Sequence, residues 1–103
     1  MLHPRVCRVL EDRPVGEANI IAHTQGSVRG ASFSETLTAA AWTSKPSWYI
    51  VAVNDRMIHP DAERALARKI KATTTTLRSS HVPMVSQPRK VADVILAAAH
   101  SIK

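Results

Sequence analysis

The apolar residues change period from one segment to the next, and that change lays out the fold. Through residues 1–15 charged side chains, Pro4 and Pro14 break up any repeat, so an irregular lead-in is expected. Between 16 and 25, Ala18, Ile21 and Ala22 fall at helical spacing and Gly26 follows as a stop, which predicts a short helix. A second short helix is expected over 33–41. Residues 48–53, Trp-Tyr-Ile-Val-Ala-Val, form a near-continuous apolar run entered through Pro46 and left through Asn54 and Asp55. Such a run reads as a strand buried on both faces of a parallel sheet.

Pro60 opens a helix expected to reach about Ile70, with Ala62, Ala65, Leu66 and Ile70 on one face. Asp61 and Glu63 lie in its first turn, where carboxylates suit the helix dipole. The Thr-rich run 72–77 predicts a second strand, and its half-polar character suits an edge. After a loop over 78–87, Pro88 begins a last helix in which Val91, Val94, Ile95, Ala98 and Ile102 keep an apolar stripe. Strand, helix, strand, helix implies an α/β class with a right-handed parallel unit of two strands, a crossover helix and a C-terminal helix.

Composition narrows the range of functions. A chain of 103 residues can form one small domain, and 45% hydrophobic with 21% charged residues suits a folded chain better than a disordered one. The net charge of +6 is spread along the sequence. Arg64, Arg68, Lys69 and Lys71 group on and after one helix, but four aromatic residues, Phe33, Trp42, Trp48 and Tyr49, do not interleave with the basic ones. The basic group therefore reads as a solvated helix face, and nucleic acid is not expected as a partner. Cys7 is the single cysteine, which rules out an internal disulfide and points mildly to a reducing compartment. No run has signal-peptide or bilayer-spanning character, so a cytoplasmic chain with no membrane partner is expected.

The candidate chemistry lies after the two strands. Loops that follow neighbouring parallel strands open at one sheet edge, where α/β proteins usually bind ligands. Asp55 and His81 occupy those loops. Strands about 4.8 Å apart would let the Asp55 carboxylate reach the Nδ1 hydrogen of His81, leaving Nε2 as a general base. Each residue also has a simpler reading: an Asp after a strand often bonds its own turn, and a loop His is often just solvated. His3, His23, His59 and His100 show no zinc-ligand spacing, so no metal and no cofactor is expected. His59 reads as a helix-entry residue before Pro60.

Two blocks carry a resemblance: Pro46-Ser47-Trp48-Tyr49-Ile50-Val51 through Asn54-Asp55-Arg56-Met57-Ile58-His59-Pro60, and Ser80-His81-Val82-Pro83-Met84 through Pro88. Together they resemble the carboxy-terminal part of an α/β-hydrolase, in the branch of small-molecule esterases, methylesterases and hydroxynitrile lyases. The resemblance covers about residues 16–102 and implies a partial α/β-hydrolase domain over 16–103 after the lead-in. It further implies Asp55 as the triad acid, His81 as the general base, and Val82, Pro83 and Met84 as lining for a small ester-like substrate.

The nucleophile is absent from this sequence. That family places it in a G-x-S-x-G elbow between strand and helix, and the nearest string, Gly26-Ser27-Val28-Arg29-Gly30, has its serine directly after the first glycine with no strand before it. Ser27 is therefore not expected to serve. The chain is expected to be a fragment of a serine ester hydrolase, inactive alone and prone to self-association through an open sheet edge. The alternative is a stand-alone interaction module that pairs with another polypeptide by strand addition.

Overall fold

A computed structural model describes residues 9–102. Its regular elements are α1 (Val15–Thr24), β1 (Trp48–Ala52), α2 (Pro60–Lys69), β2 (Thr73–Leu77), the one-turn α3 (Pro83–Ser86) and α4 (Pro88–Ser101). The strands form a two-stranded parallel sheet with Trp48 opposite Thr73 and Ala52 opposite Leu77. This is the parallel α/β unit the periodicity implied, with α2 as the crossover.

Prolines open three of the helices, where the missing amide proton removes nothing and the fixed φ suits the first turn. His59 caps α2, its Nδ1 accepting from the Asp61 amide at 3.1 Å. Lys71 turns the chain from α2 into β2 at φ 55°, the only non-glycine residue in the left-handed region among those described.

The buried apolar set is small: Leu10, Ala18, Val51, Ala52, Ala67 and Leu77. A radius of gyration of 15.5 Å exceeds the ~13 Å of a compact 100-residue domain. The end of β1 carries the core, while Trp48, Tyr49 and Ile50 are only half buried. The expectation of a strand covered on both faces therefore holds for Val51 and Ala52 and fails at its start, where α4 stands across an open cavity and leaves the side chains half exposed.

Other expectations are corrected locally. No helix spans 33–41; single 3₁₀ turns at Gly30–Phe33 and Ala41–Thr43 flank an exposed stretch with no core for a helix to pack on. Gly26 is not the stop of α1, which ends in extended Gln25 at φ −63° and ψ 120°. The face of α2 turned to the sheet is Glu63 and Ala67, leaving Ala62, Ala65 and Leu66 exposed. The 78–87 loop contains the helical turn α3, and α4 ends at Ser101, leaving Ile102 extended and 62% exposed.

Candidate active site

The ladder continues past both strands and ties their exits together. Val53 donates to the Leu77 carbonyl at 3.0 Å and Asn54 to the Ser79 carbonyl at 3.1 Å. Asp55 therefore begins its loop beside the start of the histidine loop. Its Oδ1 accepts from the amides of Met57 at 2.8 Å and Ile58 at 3.0 Å, an Asx turn that fixes the carboxylate plane. Its Oδ2 meets Nδ1 of His81 at 2.9 Å. The simple turn reading and the pairing reading of Asp55 are both present, one on each oxygen.

Burial separates the two partners. The Asp55 side chain is 2% exposed and the His81 side chain 34%. An ionised carboxylate opposite Nδ1 selects the tautomer with hydrogen on Nδ1, and Nε2 keeps its lone pair with no hydrogen-bond partner among the described residues. Burial pushes the Asp55 carboxyl up. The Ile58 amide, the His81 imidazole and the Met57 amide outweigh it, holding the group below the ordinary aspartate range.

His81 stands between two cavities. One of about 470 Å³ is lined by Asp55, Glu63, His81, Pro83 and Met84 together with Trp48 and the apolar face of α4. The other, about 430 Å³, lies among Leu10, Ile21, Met57, His81 and Val82. The residues after the histidine are thus divided: Pro83 and Met84 face one cavity and Val82 the other. Pro83 is buried as the first residue of α3, whereas Met84 is 55% exposed.

The lead-in contributes more than its irregular sequence suggested. Leu10 is buried, and Asp12 accepts from the Ser80 amide at 3.0 Å and the Ser80 hydroxyl at 2.6 Å. The Val9 carbonyl lies 2.9 Å from the same hydroxyl. Residues of the lead-in thereby clamp the position immediately before His81, and the Gln87 side chain closes the far end of the loop onto the Arg78 carbonyl. Sequence reasoning missed this clamp because nothing in a charged, proline-broken segment reveals a partner 68 residues away.

Burial pushes the Asp12 carboxyl up, but hydrogen bonds from the Ser80 hydroxyl and amide hold it below the ordinary range. A carboxyl lowered in the folded state contributes stability above its unfolded pKa and loses it as pH falls through the lower folded value. Acidification to that point should therefore release Ser80. Asp12→Ala should do the same at neutral pH, raising amide exchange at buried Ser80 by about tenfold or more. Site-resolved hydrogen exchange checks both, and an unchanged Ser80 rate in the variant would contradict the clamp.

His3 lies outside the described residues; His59 is a helix cap, and among the described residues no group of three or more His, Cys, Asp or Glu is placed to hold a metal ion. Among the same residues no helix is long and apolar enough to cross a membrane.

The parallel strand pair thus places a buried carboxylate and a half-exposed imidazole together at its carboxyl edge. The chain belongs to the alpha/beta hydrolase family, whose family model matches residues 3–94. The search of curated proteins and the search of solved structures each returned no match.

Proposed function

We propose that this chain is the carboxy-terminal part of a serine ester hydrolase and supplies the acid and the base of its triad. The observation that carries this reading is the 2.9 Å contact between His81 Nδ1 and the buried Asp55 Oδ2. Asp55 holds the imidazole in the tautomer that accepts a proton at Nε2 and stabilises the imidazolium that follows. His81 takes the proton of a serine supplied by another segment, and later returns it to the leaving alcohol. Pro83 and Met84 on one side, and Val82 on the other, line the space for a small ester substrate.

The serine and the oxyanion donors are each worth orders of magnitude in rate, so the chain alone should show no serine-dependent turnover of p-nitrophenyl acetate. Joining it to a polypeptide with a strand, a G-x-S-x-G elbow and an oxyanion segment should restore turnover. Hydrolysis by the isolated chain that disappears in His81→Ala would overturn this reading. Reading the coding DNA upstream of Met1 in three frames for that elbow tests the fragment assignment separately.

The pairing-module alternative draws on the same open edge. The Asp55–His81 contact, which strand pairing does not require, favours the hydrolase reading.

A further inference from the structure

Glu63 is a buried acid that the Asp55–His81 pair leaves unexplained. Its helical position, one turn before Ala67, turns it inward, and it is 5% exposed. Oε2 accepts from the Ala52 amide at 3.4 Å, while Oε1 is buried with no partner among the described residues. Because Val53 donates into the β1–β2 ladder, alternation along the strand turns the Ala52 amide the other way. Glu63 thus reaches past the sheet to the same cavity that Asp55 and His81 line.

We propose that Glu63 is a third member of the pair, a neutral acid whose hydroxyl hydrogen is donated to Asp55, so that two carboxyls carry one negative charge beneath the imidazole. Asp55 accepts two amides on Oδ1 and His81 on Oδ2, which leaves Oδ2 capacity for one further donor. A protonated Glu63 fills that capacity and gives its own orphaned oxygen a partner. The alternative, two buried carboxylates side by side, lacks a counter-charge: the cavity contains no Lys or Arg.

The groups facing Glu63 are few. Tyr49 comes from β1, Asp55 and His81 from the loops after the strands, and α4 presents apolar Val91, Val94 and Ala98 to the same cavity. Burial pushes the Glu63 carboxyl up, the Ala52 amide draws it down, and Asp55 raises it further; the net direction is upward. Glu63 is a positioning residue in this account. It donates to the Asp55 oxygen that accepts no amide and keeps the negative charge on His81, so its catalytic consequence rests on the hydrolase reading.

The test is a carbon-13 carboxyl titration of the full chain, labelled at glutamate and held in the complex with the complementary part of the sheet, with Glu63→Gln used to assign the signal. The expected result is a Glu63 midpoint above the ordinary glutamate range. The His81 Nδ1 proton, read downfield in the same sample, should persist in Glu63→Gln, because the amide is also a neutral donor. A Glu63 midpoint in or below the ordinary range, with the imidazole proton present, overturns the proposal and leaves the Asp55–His81 pair standing. A raised midpoint with no imidazole proton in the wild type overturns both. If Glu63→Gln does not fold, through-bond assignment in the wild-type chain gives the same midpoint.

Discussion

In an assembly that supplies the serine and oxyanion donors, Asp55→Asn should lower kcat by about ten-thousand-fold while leaving the fold intact. The direction follows from the hydrogen bonds. The Met57 and Ile58 amides are both donors, and they require an acceptor at the Oδ1 position. An asparagine therefore places its carbonyl there and its NH₂ at the Oδ2 position, facing Nδ1 of His81. Two donors cannot bond, so the imidazole adopts the opposite tautomer, with hydrogen on Nε2, and cannot accept the serine proton. The Asp55 side chain is almost fully buried with this oxygen on His81, so KM should move little. Steady-state kinetics on p-nitrophenyl esters, compared with the unchanged circular dichroism of the variant, checks the split; a kcat within a few-fold of wild type would remove Asp55 from the mechanism.

The second large effect concerns the isolated chain. Among the described residues only one edge of β1 is paired, the first half of that strand is half exposed, and Met84 and Ile95, at the cavity that half-strand lines, are 55% and 62% exposed. An unpaired strand edge beside an apolar face is a template for association. The chain should therefore form oligomers or aggregates at roughly micromolar concentration. Addition of the complementary part of the sheet should convert them to a defined complex, because the same backbone groups and apolar surface are then covered. Sedimentation velocity across a dilution series reads this directly. A monomer at every concentration, with a single cooperative calorimetric transition, would contradict it and favour a self-sufficient module.

Much of the candidate site was legible in the sequence because it depends on local signals. Pro46 and Asn54 bracket β1, Pro60 starts α2, and the Thr run marks β2, so Asp55 and His81 fall in loops at one edge by topology alone. The features that escaped are those fixed by distant partners. Asp12 gains its role from Ser80, across a gap that no periodicity encodes. Glu63 looked like a first-turn carboxylate serving the helix dipole, yet the sheet packs against that face of α2 and buries it. The apolar residues Ala62 and Leu66 suggested the opposite face, which remains exposed, Leu66 at 46%, in a chain whose sheet is only partly covered. The expected 33–41 helix failed for a related reason: short helices draw their stability from packing, and that stretch has none.

The Asp55–His81 pair as the acid and base of a serine hydrolase is tested most directly by fluorophosphonate labelling of the completed assembly, comparing wild type with His81→Ala. The account predicts covalent labelling of the elbow serine in the wild type and a loss of about three orders of magnitude or more in labelling rate without the imidazole. Equal labelling of the two would show that the serine is activated by another group and that His81 is not its base.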